Sequence, residues 1–326
     1  MSGAFYLYPK WVDAISLYLL RYNNGYIVAM KFRIRFIYTL ILLLAMSIVG
    51  CREEQGFSTD TSHRLAFSSD TVRFDTLFTS VSSSTYSFLI YNRNKADLRI
   101  ASVHLSGGEQ SPYRVNLDGL SGASFSDVAI RGGDSLYVFV EVTVDPRGQD
   151  APFEVCDSIV FALESGVIQR VQLRAYGQDA TVLRGVSIDS DTRFTAQRPY
   201  LIYDSLRVEE GSTLYLDAGV RLYFRDKVEM QVYGRVEAVG TADSAVVFRG
   251  ARTDHMFSYL PYDRLSAQWG GITLHETSHD NLFVYCDIHG GTYGLRAKAY
   301  DMSRSKLVMQ NSQIHNVDED ALQLTL

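Results

Sequence analysis

From residue 63 onward, apolar and polar positions alternate with a period of two, and no stretch carries the 3.6-residue period of an amphipathic helix. The clearest run sets Leu136, Val138, Val140, Val142 and Val144 on one face and Tyr137, Phe139, Glu141 and Thr143 on the other. That is the signature of a strand with one face buried. A second run, Tyr86 to Tyr91, stops at Asn92-Arg93-Asn94, and a third carries Leu98, Ile100, Val103 and Leu105 up to Gly107-Gly108. Strands this closely spaced, separated by turn residues, predict a β-sandwich over residues 63–180. Cys156 falls at the start of one of its strands and is expected there as a small buried hydrophobe.

Beyond residue 183 the apolar groups shorten and their spacing becomes regular. Leu206-x-Val208, Leu214-x-Leu216, Val220-x-Leu222-x-Phe224, Met230-x-Val232, Val236-x-Ala238 and Val246-x-Phe248 are pairs or triplets, many set off by Gly211, Gly219, Gly234 and Gly240. Very short strands joined by tight corners suit a stack in which each turn of chain buries its inner face only against its neighbours. Gly271-Ile272-Thr273-Leu274, Gly294-Leu295-Arg296-Ala297 and Ala321-Leu322-Gln323-Leu324 then recur along the chain. Trp269-Gly270-Gly271-Ile272, Asp280-Asn281-Leu282 and Ile288-His289-Gly290-Gly291 resemble the coil pattern of right-handed parallel β-helix proteins. The resemblance implies such a solenoid over residues 183–326.

The first region resembles the Hydin-type immunoglobulin-like domains of bacterial surface proteins. The matching residues are Asn92, the segment Leu98 to Gly107, the run from Gly133-Asp134-Ser135 through Val138 to Asp145-Pro146, and the closing Leu173-Arg174-Ala175-Tyr176-Gly177. The expected fold class is therefore all-β: an immunoglobulin-like sandwich followed by a right-handed parallel β-helix. The last strand, with Leu322, Leu324 and Leu326, has no polar cap after it, so the β-helix is expected to be incomplete, continuing in a longer protein or pairing with another chain.

The start of the chain has a different character. From Met30, the basic residues Lys31, Arg33 and Arg35 precede an apolar run from Phe36 to Val49. Fourteen residues reach about 21 Å as a helix, short of the roughly 30 Å hydrocarbon core and suited to a signal peptide. The run ends Ile48-Val49-Gly50-Cys51, which resembles the lipobox of bacterial lipoproteins. The resemblance implies cleavage before Cys51 and acylation of its thiol. The expected layout is an upstream mis-start over 1–29, a lipoprotein signal peptide over 30–50 and a tether over 51–62, with Arg52-Glu53-Glu54 resembling an export signal to the outer face of the outer membrane. The expected location is the cell envelope, on the outer membrane, at its periplasmic or exposed face.

Charge narrows the partners. The net charge is −6, and with five basic residues and one acid in the first 50, the remainder carries −10. Phosphate contacts need clustered Lys and Arg, so a nucleic-acid partner is excluded. Three cysteines, Cys51, Cys156 and Cys286, are too few and too scattered for a disulfide framework or a zinc cluster. The expected partners are the membrane, through the lipid, and a polysaccharide or surface protein along the β-helix.

Candidate chemistry is sparse. His275-Glu276-Thr277-Ser278-His279 satisfies H-E-x-x-H, a spacing that makes a zinc site only where a helix puts both imidazoles on one face. Here it lies between two strands, so His275, Glu276 and His279 are rejected as ligands and no metal or other cofactor is expected. His289 and His315 follow Ile288 and Ile314 and are read as equivalent corner positions, not as ligands. Asp318 and Asp320 are weak candidates for a carboxylate pair, within a turn-forming Asn316-Val317-Asp318-Glu319-Asp320. Six Asp-Ser/Thr-aliphatic triplets resemble the O-glycosylation acceptors of some Gram-negative anaerobes, at Thr71, Thr76, Ser135, Ser158, Ser205 and Ser244. The expected function is a non-catalytic, membrane-anchored envelope lipoprotein that binds glycan or protein. The alternative is a polysaccharide lyase or glycoside hydrolase acting on acidic glycans with a carboxylate site on the β-helix.

Overall fold

The computed structural model describes residues 56–325 except Ser258 and Tyr300, and those from Phe57 onward belong to one compact unit. The expected signal peptide over 30–50, the segment before it and Cys51 lie outside the described residues. Among the described residues the protein is all-β, with strands, two short 3-10 turns and no α-helix.

Ten strands occupy the first region: β1 (Ala66–Phe67), β2 (Thr71–Phe78), β3 (Tyr86–Tyr91), β4 (Leu98–Leu105), β5 (Tyr113–Leu117), β6 (Leu120–Gly122), β7 (Ser124–Ile130), β8 (Ser135–Val142), β9 (Phe153–Leu163) and β10 (Ile168–Gln178). They form two five-stranded sheets, ordered β1-β3-β8-β5-β6 and β2-β10-β9-β4-β7. Every pair is antiparallel except β2 with β10. Alternation turns Phe88, Ile90, Val138, Val140 and Val142 of one sheet against Ile100, Val103, Phe161, Val171 and Leu173 of the other in one shared core. The sheets are therefore packed as a sandwich. Asn92, the residue after β3, is fully buried, its Nδ2 donating to the Ala96 and Ile130 carbonyls while its Oδ1 accepts from the Asn94 N–H.

Cys156 does not take the interior position expected of it. Phe153 and Val155 hold the inward places in β9, so alternation turns Cys156 to solvent. Of the two described cysteines it is Cys286 that is buried, and burial pushes its thiol up to about 12.

The second region runs β11 (Thr181–Ile188), β12 (Thr192–Phe194), β13 (Tyr200–Val208), β14 (Thr213–Leu216), β15 (Arg221–Phe224), β16 (Glu229–Val232), β17 (Arg235–Val239) and β18 (Val246–Gly250). A hairpin of β19 (His255–Phe257) and β20 (Leu260–Pro261) interrupts it. It resumes with β21 (Gly271–Leu274), β22 (Asn281–Val284), β23 (Cys286–His289), β24 (Leu295–Lys298), β25 (Leu307–Gln310), β26 (Gln313–His315) and β27 (Leu322–Thr325). Apart from the hairpin, all these strands pair in parallel. β13 changes direction at Asp204, whose φ is 65°, and its two halves start different stacks. The first half leads through β15, β18 and β23 to β26, the second through β16, β21 and β24 to β27. A third stack runs β12-β14-β17-β22-β25. From β13 to β27, leaving the hairpin aside, successive strands enter the three stacks in rotation.

Register turns this order into apolar ladders. Leu206, Met230, Ile272 and Leu295 lie partner to partner in one stack, and Val208, Val232, Leu274 and Ala297 run beside them. All eight side chains are buried in one cluster, with Phe224 stacked on Trp269 at 4.3 Å. At β27 both ladders end on exposed residues, Leu322 and Leu324. Close stacking needs glycine at one corner in particular. Gly271 has φ 127°, and a Cβ there would sit 2.5 Å from the Tyr293 carbonyl oxygen.

The excursion between β18 and β21 reaches two ways. Towards the sandwich, Asp254 is paired with Arg252 and accepts from Ser84 Oγ, while His255 Nδ1 lies 2.9 Å from Asp75. Towards the parallel strands, its 3-10 turn Tyr262–Arg264 carries Asp263 over the end of β23.

Candidate functional site

The densest group of chemistry-bearing side chains lies where β18, β23 and β26 stack. Val247, Asp287 and Gln313 are register partners, as are Phe248, Ile288 and Ile314. The next positions along are Arg249, His289 and His315. Period two puts Asp287 and His289 on the same side of β23, and parallel register lays the His315 ring on the His289 ring, centroids 4.8 Å apart.

These side chains form one continuous polar network. His289 Nδ1 is 2.9 Å from Asp287 Oδ1, and His315 Nε2 is 3.0 Å from the same oxygen. The other nitrogen of His289, Nε2, lies 2.8 Å from Asp263 Oδ1, which is itself ion-paired to Arg249 at 2.6 Å. Exposure rises outward: the His289 side chain is 7% accessible, Asp287 23% and His315 40%. Burial pulls the His289 pKa down, but hydrogen bonds to Asp263 and Asp287 outweigh it and leave the ring above its ordinary value. The bond from His289 holds Asp263 low. Asp287 is pushed up by burial, yet its bond to His289 and the nearby imidazole charges keep it low as well.

His289 and His315, expected as equivalent corner positions and not as ligands, are register partners at the ends of their strands. Both face one carboxylate, and with Asp287 their ligating atoms lie within 4.8 Å of one another. The signal was present in the sequence as Asp287-x-His289 followed one turn of chain later by a second Ile-His. Asp263 and Arg249 carried no such signal, because a loop excursion brings Asp263 there.

The other sequence candidates are placed apart. His275, Glu276 and His279 lie in the corner between β21 and β22, with no helix to align them. His275 stacks on Tyr233 at 4.0 Å and bonds to Gln231. Burial, then the charges of Lys298, Arg207 and Lys306, hold its pKa below the ordinary value. Lys306 crosses this corner, its Nζ donating to the carbonyls of His275 and Ser278, and burial pushes it down to about 8. Asp318 and Asp320 are exposed in the β26–β27 corner, where the Asp318 N–H donates to the Thr292 carbonyl and the Gly294 N–H to that of Asp320. Between them Glu319 pairs with Arg296.

Of the six triplet hydroxyls, Thr76 and Ser244 are exposed and Thr71, Ser135 and Ser205 are half-buried. Ser158 is buried and its Oγ lies 2.8 Å from Ser106 Oγ, so the folded chain closes it to a glycosyl group.

A second feature is a file of side chains on the face away from the apolar ladders, exposed at Ser187, Arg207 and Gln323 but closed at Thr273, which is buried with its Oγ1 2.8 Å from Tyr293 Oη. Ser187, Arg207, Gln231, Thr273, Arg296 and Gln323 are successive register partners across β11, β13, β16, β21, β24 and β27. Planar groups flank it: the Arg207 guanidinium lies 4.1 Å from the Tyr233 ring centre and that of Arg296 lies 3.6 Å from that of Tyr293.

No protein-family model matches the sequence, and no curated protein matches it. Solved structures give partial likenesses. A family 123 glycoside hydrolase from Clostridium perfringens is 7% identical with a TM-score of 0.26, over 37% of this chain and 30% of that one. The human CEP192 ASH/PapD-like domain is 14% identical with a TM-score of 0.24, over 39% of this chain and 91% of the domain. A Porphyromonas gingivalis protein of unknown function is 12% identical with a TM-score of 0.26, over 39% and 60%. Likenesses at these scores carry no argument about function.

Proposed function

We propose that this chain is a non-catalytic lipoprotein of the bacterial cell envelope, anchored through an acylated Cys51, that binds glycan along its parallel strands. In this reading the sandwich is immunoglobulin-like and stands between the tether and a parallel β-helix. The rotation of successive strands among three parallel stacks supports the β-helix. The basic start, short apolar run and Gly50-Cys51 ending support the anchor.

The observation that carries the binding surface is the outward file from Ser187 to Gln323. Parallel neighbours are about 4.8 Å apart, so the accessible members on either side of the buried Thr273 present donors and acceptors at a spacing close to one extended sugar residue. Beside it Tyr233 is held between the Arg207 guanidinium and the His275 ring, which fixes the direction of Arg207 and of the half-buried His275. Arg207 and Arg296 bring bidentate donors suited to hydroxyls and carboxylates.

The test is affinity electrophoresis of the purified protein through gels containing acidic or neutral polysaccharides. Retardation by one polysaccharide, relieved in Arg207→Ala/Arg296→Ala, is expected. Absence of retardation throughout the panel would reject the binding role, and shortening of the polysaccharide would replace it with a lyase or hydrolase. For the anchor, Cys51→Ala should abolish labelling by a fatty-acid probe, and a mutant that still labels would refute it.

A further inference from the structure

We propose that Asp287, His289 and His315 form a binding site for a divalent transition-metal ion of the zinc class, with Asp263 as the residue that positions His289. The first ground is geometry. The three ligating atoms lie within 4.8 Å of one another, on strands that β-pairing already holds in register. In a tetrahedral zinc site with bonds of 2.0–2.1 Å, neighbouring ligand atoms are about 3.3 Å apart. Asp287 Oδ1 now lies 2.9 Å from His289 Nδ1 and 3.0 Å from His315 Nε2, near that separation, while the two ring nitrogens, within 4.8 Å of each other, would close together around the ion. His315, at 40% exposure, has the freedom to make that shift.

The second ground is the donor set. Two imidazoles and one carboxylate suit zinc, cobalt, nickel or copper, whereas calcium and magnesium take oxygen ligands. Three protein ligands also leave a coordination position free on the solvent side, where His315 lies.

The third ground lies outside the trio. A histidine that binds metal through one ring nitrogen usually donates the other N–H to a carboxylate or carbonyl, which fixes its tautomer and orientation. His289 has this arrangement: Nδ1 faces Asp287 and His315, while Nε2 faces Asp263 at 2.8 Å. Arg249, at 2.6 Å, fixes the Asp263 carboxylate in turn.

The experiment uses the purified full chain, stripped with a chelator and titrated with Co²⁺ by absorption spectroscopy and with Zn²⁺ by calorimetry. One Co²⁺ per chain, with the visible bands of a low-coordinate ion and displacement by Zn²⁺, is expected. His315→Ala should weaken Zn²⁺ binding at least tenfold, and Asp263→Asn about 10–100-fold, the range for residues that orient a ligating histidine. His255→Ala and His279→Ala should leave binding unchanged. Failure to take up one equivalent of Co²⁺ or Zn²⁺, or uptake that survives His315→Ala undiminished, would overturn the proposal. Should Asp287→Asn fail to fold, the more exposed His315 still carries the test.

Discussion

Asn281 ties three successive turns of chain together, and its replacement should be costly in a way that pH can partly reverse. The side chain is fully buried at the start of β22. Its Oδ1 accepts from the Val236 N–H at 2.9 Å, in the turn before. Its Nδ2 donates to Ser278 Oγ at 2.8 Å and to the Lys306 carbonyl at 3.0 Å, in the turn after. Asn281→Leu keeps the volume and removes all three bonds. An orphaned buried N–H costs about 1–3 kcal/mol, and each of the other two bonds is worth about 0.5–1.5 kcal/mol net. The expected loss is about 2–6 kcal/mol, a large part of the stability of an ordinary domain. Asn281→Asp keeps the acceptor for Val236 but sets a carboxylate oxygen against the Lys306 carbonyl. Protonation would turn that oxygen into a donor, so the buried aspartate has a raised folded-state pKa. The folded state then binds more protons than the unfolded one, and the variant must gain stability as pH falls. Urea unfolding followed by the fluorescence of Trp269, which is buried against Phe224, measures both effects. An Asn281→Leu loss below about 1 kcal/mol, or an Asn281→Asp variant that acid does not help, would refute the reasoning.

Other expectations follow from single side chains. Lys306, held near 8 against an ordinary 10.5, has roughly 300-fold more free amine at neutral pH than an ordinary lysine. Limiting acetylation with peptide mapping should therefore mark Lys306 ahead of Lys227 and Lys298; equal rates would contradict its shift. His275 has a depressed folded-state pKa, so its contribution to stability is present above the unfolded value of about 6.5 and is lost as pH falls through the folded value. Unfolding curves across pH 5 to 8 should show that loss, and His275→Gln should flatten it. Native-state alkylation should modify Cys156 and spare Cys286; the reverse would mean the β9 register is misassigned.

Much of the strand pattern was legible because period two needs only neighbours in sequence. Val138, Val140, Val142 and Val144 alternate in the chain and are buried in the fold for the same reason. The spacing of Ile272, Leu295 and Leu322 likewise appears as direct register pairing. Cys156 faces solvent because the alternation set by Phe153 and Val155 beside it overrides the preference of a thiol for burial. The polar network was harder to see. His289 and His315 meet because one turn of chain separates them, and the repeat encodes that. Asp263 arrives from an excursion whose path depends on contacts with the sandwich, such as His255 with Asp75, and no local pattern specifies it.

The central claim is that a glycan lies along the outward file of the parallel strands. The most direct measurement is hydrogen–deuterium exchange of the protein with and without the polysaccharide that retards it. The account predicts slowed exchange in peptides covering Arg207, Gln231, Thr273 and Arg296, with the sandwich strands unchanged. Protection confined to the sandwich, or no protection at saturating polysaccharide, would contradict it.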